Sequence, residues 1–172
     1  MSTKMILATI AAIVALGTIT TNGFINSALG QQTFSADLSG DDELPPVDTN
    51  ATGIIMGSIT PNSINYQLSV TDLDNPRAAH IHMGDEDHNG KVVAWLYNST
   101  SAKGPTTGLL SQGNVTASDL VGPLKGQPLS ALIDIMGNGT AYVNVHTKDF
   151  PLGEIRGQVS TEGEAEGGEE GG

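Results

Sequence analysis

An all-β fold, an antiparallel sandwich or barrel carrying one short helix, is the class this 172-residue sequence predicts. Three observations carry it. Between Thr33 and Val159 the apolar residues recur mostly with period two. The alternating runs are short, as half-buried strands are. Clusters of Gly, Pro, Asn and Asp punctuate them, where the chain must turn.

The first strand is expected over 33–38. Strands over 53–60 and 63–71 follow, with Thr60-Pro61-Asn62-Ser63 as a hairpin turn. Residues 78–83 and 92–97 form the next pair, with Asn89-Gly90 read as its turn. In the second of these, Trp95 alternates with Val93 and Tyr97 and reads as core or hairpin packing. Thr116-Ala117-Ser118-Asp119 opens a helical turn, and 129–136 is the helix. Strands over 141–147 and 154–159, joined by the 148–152 connection, close a domain of about 125 residues.

Residues 31–160 form this single domain, and what flanks them is different in kind. A basic start through Lys4 and an apolar run from Met5 to Leu16 have the length of a signal-peptide core. Ala28-Leu29-Gly30 sets small residues before a cut at Gln31. Residues 1–30 are thus a signal peptide or, if uncleaved, an N-terminal anchor over 5–21, and the rest of the chain is exported to the cell envelope or beyond. At the other end, 161–172 contains only Thr, Gly, Ala and Glu and is expected to be a disordered Gly/Glu-rich tail.

A formal charge of −12 excludes a nucleic-acid partner, and a membrane partner except through an uncleaved N-terminal segment. The folded part is acidic by itself, with fourteen Asp and Glu against six Lys and Arg over 31–160. The absence of cysteine removes disulfides, thiolate metal sites and cysteine nucleophiles. No nucleophile elbow, P-loop or dinucleotide fingerprint occurs. Asn-x-Ser/Thr sequons stand at Asn50, Asn98, Asn114 and Asn138, a tripeptide compatible with an extracellular surface and also common by chance.

Histidine and carboxylate remain as the strong ligands. His80 and His82 fall on one face of their strand, about 7 Å apart at Cα, while Ala79, Ile81 and Met83 take the other. A neighbouring strand could supply His146 as a third ligand, with His88 a looser fourth. Imidazole-only sites suit Zn, Cu or Ni, and copper is plausible outside the cytoplasm. If Thr147 opposes Gly153, His146 falls opposite Glu154 and Asn144 opposite Arg156. Glu154 and Asn144 are then the second-layer candidates. The same parity sends these polar residues to the outward face of the sheet. Without metal, the histidines would hydrogen-bond Tyr, Asn and carboxylate neighbours. Asp85, Asp87 and Asn89 spell the opening D-x-D-x-N-G of a calcium loop, but Leu96 stands where an EF-hand needs Glu. An incomplete calcium site or a solvated hairpin remains.

Three stretches in order are similar to a known family. Phe34-Ser35-Ala36-Asp37-Leu38-Ser39-Gly40 with Glu43-Leu44-Pro45-Pro46-Val47 comes first, then Ala79-His80-Ile81-His82-Met83-Gly84 with Asn89-Gly90. The last is Ala141-Tyr142-Val143-Asn144-Val145-His146-Thr147 with Phe150-Pro151-Leu152-Gly153-Glu154-Ile155-Arg156-Gly157-Gln158. Over 34–159 the chain resembles a chordin-type (CHRD) domain, as a stand-alone secreted prokaryotic member. The resemblance implies a Greek-key, immunoglobulin-like or superoxide-dismutase-like β-sandwich. It carries no growth-factor binding, because the cysteine-rich modules that accompany animal chordins are absent. The histidine pattern is similar to that of copper–zinc superoxide dismutase, which implies copper at His80, His82 and His146 and an anion-guiding Arg156. A bridging histidine and a zinc site with its aspartate are not found.

The first reading is therefore a non-enzymatic binding or interaction module with a histidine copper site, its partner a metal ion or an unidentified extracellular protein. Zinc or calcium is the lesser alternative to copper. A copper-dependent redox enzyme of superoxide-dismutase type is the second reading, and a purely structural envelope or matrix protein the third. A net charge of −12 opposes steering of an anion and favours the first.

Overall fold

The computed structural model describes residues 32–101 and 104–162. The leader over 1–30 and nearly all of the acidic tail lie outside the described residues. The strands are β1 (Gln32–Ser39), β2 (Thr52–Ile59), β3 (Ile64–Leu73), β4 (Pro76–Met83), β5 (Lys91–Asn98), β6 (Thr106–Val115), β7 (Ala141–Thr147), β8 (Ile155–Gln158) and β9 (Ser160–Glu162). The helix α1 (Ser130–Gly137) precedes β7. Among the described residues, no helix is long and apolar enough to cross a membrane.

The all-β class holds, as one antiparallel sheet curled nearly into a barrel. Its strand order is β5-β4-β7-β8-β1-β2-β3-β6, with β9 also beside β1. The last strands bridge the two halves: β8 pairs with β7, Val159 N–H donates to Ala141 C=O, and β9 then runs along β1. Alternation decides which side faces in. Ile81, Val143 and Ile155 from one half meet Leu38, Ile55 and Leu68 from the other, all essentially buried. The helix adds Leu132 and Met136 to this core and ends where Gly139, at φ +67°, takes the left-handed conformation that L residues avoid. The expected turn at 116–119 is a short 3₁₀ helix, Ala117–Asp119, capped by reciprocal Thr116 and Asp119 bonds.

Closure depends on two irregularities in β5. The pairing with β4 skips Leu96 between Tyr97 and Trp95, and Val93 between Ala94 and Val92. Both skipped residues offer their carbonyls elsewhere. Leu96 C=O accepts from Tyr66 Oη at 2.7 Å and from Ser111 Oγ at 2.6 Å, joining β5 to β3 and β6 across the open side. Val93 C=O accepts from Val121 N–H at 2.9 Å.

Four expectations change. β6 is a strand that alternation does not reveal, since Val115 is its one buried residue. Ser160, Thr161 and Glu162 form β9, so the first two residues of the tail expected from 161 belong to the sheet. Asn89-Gly90 is not a two-residue turn: Met83 pairs with Lys91, leaving a seven-residue loop over 84–90. Gly90 is needed there for close approach, because a Cβ would collide with the Met83 carbonyl. The largest correction concerns the outward face of β4, β7 and β8. His80, His82, Tyr142, Asn144, Glu154 and Arg156 are all buried on it. Two loops form a lid over that face, the 40–51 connection and the 84–90 loop, and Asn89 Nδ2 ties one to the other by donating to Leu44 C=O at 2.7 Å.

Leu96 C=O supplies the test of closure. Tyr66→Phe or Ser111→Ala alone should cost about 1 kcal/mol in urea unfolding, because the carbonyl keeps one partner. The double variant should cost more than the sum, about 2–4 kcal/mol, since the acceptor is then orphaned. Additive losses would mean that Leu96 does not hold the seam.

Candidate metal centre

β4 and β7 pair with His80 opposite Asn144, His82 opposite Tyr142 and His146 opposite Ala78. That register puts three imidazoles on the same face of adjacent strands. One ring nitrogen from each of His80, His82 and His146 lies within 4.8 Å of the others, the single such grouping of three ligand side chains among the described residues. Two ligands at about 2.1 Å from one ion span at most about 4.2 Å, so the three rings must draw closer than 4.8 Å. His80 and His146 must also give up their mutual hydrogen bond where His146 Nε2 is the ligand atom.

The hydrogen bonds decide which nitrogens are presented. A carbonyl only accepts, so His82 Nδ1–H donates to Gly90 C=O at 3.0 Å, and His146 Nδ1–H donates to Pro151 C=O at 3.0 Å. Both rings must then offer an Nε2 lone pair when neutral. His146 Nε2 lies 3.0 Å from His80 Nδ1, which supplies a proton to it. His80 Nε2 and His82 Nε2 are buried with no hydrogen-bond partner. Burial, reinforced by His146 and His82, pushes the His80 pKa down to about 3. His82 and His146 are also lowered, chiefly by burial, against the opposing pull of the Gly90 and Pro151 carbonyls. Three neutral imidazoles, with the Nδ1 of His82 and His146 fixed by backbone carbonyls and the Nε2 of His80 and His82 buried and unpaired, fit a transition-metal ion.

A family model for the CHRD domain matches residues 34–159. The chain belongs to the CHRD domain family. No curated protein and no solved structure matches it significantly. All three histidines of the cluster lie inside the matched segment of this CHRD domain.

The other expected site residues lie elsewhere. His88 is 76% exposed and bonds Asp85 through Nδ1 at 2.6 Å, which raises its pKa, and it does not join the cluster. Asp85 Oδ1 is occupied by that bond and by Asp87 N–H at 3.1 Å. Asn89 Oδ1, the oxygen a calcium loop would use, accepts from Arg156 Nη1 at 3.1 Å. Glu154 stands in the expected register, since Asn144 pairs with Arg156 and Val145 with Ile155. Its carboxylate, however, accepts from Thr49 Oγ1 at 2.8 Å and Thr147 Oγ1 at 2.6 Å. Pro151 C=O does the orienting of His146 that was expected of Glu154. Asn144 lies between His82 and Glu43 and interacts with both. Arg156 is 1% exposed, with its guanidinium turned into the 84–90 loop rather than toward solvent.

Residues that strand reasoning passed over complete the CHRD site. Tyr142 stacks on His82, with centroids 4.8 Å apart and planes 14° from parallel. Trp95, read as core or hairpin packing, is 48% exposed and meets the His80 ring edge-on at 4.3 Å. The skipped residues in β5 shift its parity and turn Trp95 outward. Glu43 is buried beside Asn144 and Arg156, and burial lifts its pKa to about 7. All four sequon asparagines are exposed.

These shifts set a pH dependence. The depressed histidines favour the folded state while neutral, so their stabilisation is lost as pH falls from about 6.5, where the unfolded chain begins to take up protons, toward about 3. Glu43 acts in the opposite sense, losing stabilisation as pH rises from 4.5 to about 7, but it is one group against three. Urea unfolding of the metal-free protein should therefore weaken on acidification from about pH 6.5 to pH 4, and His80→Gln should flatten the slope. A flat profile in the unaltered protein would contradict the burial of these rings.

Proposed function

We propose that this CHRD protein is an exported single-domain module that binds one copper ion through His80, His82 and His146 and does so without turnover. The convergence of three neutral imidazoles supports the reading most directly. Imidazole donors with no thiolate or carboxylate in the grouping suit copper, and affinity along the first-row metals peaks at Cu(II). A bound copper ion would supply one-electron redox chemistry. The chain's own residues bind and orient: Gly90 and Pro151 set the ring tautomers, and Trp95 and Tyr142 flank His80 and His82. Arg156, the cation an anion-processing site would need, is committed to loop carbonyls, which favours binding over catalysis. Export rests on the basic start and apolar run of residues 1–16.

Trp95 is the sole tryptophan and touches His80, so it reports on the site. Cu(II) titration of the purified protein should quench its fluorescence at one equivalent, with metal analysis giving one bound copper. His80→Ala/His82→Ala should weaken binding at least about 100-fold, as loss of two of three ligands requires. Copper uptake that survives the double variant would overturn the ligand assignment. Superoxide dismutation by the loaded protein above free copper would replace the binding reading with the redox one. For export, mass spectrometry of the protein recovered outside the cytoplasm should find Gln31 at its start.

A further inference from the structure

We infer that Arg156 is a positioning residue for the histidine site: together with Tyr142 it holds the 84–90 loop so that Gly90 fixes His82 in one tautomer. The inference deepens the metal-binding reading and rests on it only for what the His82 lone pair is offered to. Its geometry stands independently of any ion.

The chain of contacts begins at β8. Arg156 is one of the most deeply buried side chains in the protein. Nη2 donates to Asp85 C=O at 2.6 Å and approaches His88 C=O at 3.4 Å, while Nη1 donates to Asn89 Oδ1. The guanidinium lies over the Tyr142 ring, with Cζ 3.7 Å from the centroid. Tyr142 is on β7, the strand between β8 and β4, and its ring also stacks on His82. Its hydroxyl accepts from Gly90 N–H at 3.1 Å. Gly90 is therefore held through its N–H by Tyr142, and its carbonyl holds His82.

The arrangement needs an arginine. A planar fork can bond two loop acceptors in its own plane while its face rests on an aromatic ring, and a lysine ammonium cannot do both. It also explains why an exposed acidic loop, with Asp85 half-exposed and His88 largely so, has its carbonyls turned inward. The loop's charged side chains face water while its backbone serves the site. His146 provides an internal control, because its tautomer is set by Pro151 in a different loop.

Long-range ¹⁵N–¹H imidazole spectra of the metal-free protein read the tautomers directly. In the unaltered protein, His82 should be the Nδ1–H form alone. Arg156→Lys retains the buried charge but loses the fork and the stack. It should convert His82 to an exchanging mixture while His146 keeps its tautomer, and Cu(II) affinity should fall about 10–100-fold, as for other outer-layer partners of metal-bound histidines. If Arg156→Lys fails to fold, seen as loss of the His146 signature as well, Tyr142→Phe decides. That variant keeps the aromatic stack and removes only the acceptor for Gly90 N–H, and it should free His82 in the same way. A His82 that stays in the single Nδ1–H form in a folded Arg156→Lys variant, or in Tyr142→Phe if that one decides, overturns the inference. Should the unaltered protein bind no copper while the variants still release His82, the positioning role stands and the metal reading fails.

Discussion

Holding three imidazoles on one sheet face, two buried and one half-buried, sets the terms for the structure around them. A ring nitrogen removed from water needs a partner, and a partner here must be placed by something other than the sheet, whose own carbonyls are engaged in pairing. Two loops supply it, one through Gly90 and the other through Pro151. Each loop must then be held. The first is gripped by Arg156 and Tyr142 from below and by Leu44 from the side. The second folds on itself: Thr147 exchanges bonds with Phe150, Gly153 N–H donates to Phe150 C=O, and Thr147 Oγ1 anchors Glu154. Strand register places the rings, and the loops decide which atoms those rings present.

Much of the fold was legible because alternation and turn chemistry agree. The strands β1, β3 and β7 carry an apolar set on one parity, as Phe34, Ala36 and Leu38 do in β1 and Ile64, Tyr66, Leu68 and Val70 in β3. β6 was illegible for a physical reason. Gly108, Ser111, Gln112, Gly113 and Asn114 bury no apolar side chain, and the strand is held by its ladder to β3. β9 is similar, with Ser160, Thr161 and Glu162 held by pairing with β1. Backbone pairing leaves no mark on composition.

The site divides along the same line. Parity alone put His80, His82 and His146 on one face, and loop length alone put Asn144 opposite Arg156. Parity cannot say whether a face is covered, so a buried guanidinium looked like a surface charge and Trp95 looked like core or hairpin packing. The partners that matter most, the carbonyls of Gly90 and Pro151, belong to every residue equally and have no signature. Asn89 shows the limit well: as half of Asn-Gly it signals a turn, yet its side chain bridges Leu44 and Arg156.

The seam at Leu96 has a further consequence. A sheet that ends in bare strands offers its unpaired backbone to any other extended chain, and such pairing is the usual route to aggregates. β5 and β6 are the two terminal strands here, and they face one another across side-chain hydroxyls rather than a continuous ladder. Each edge thus shields its counterpart without the two being fused. Mutual shielding of edges is a form of protection written into one irregular residue, Leu96, of one strand.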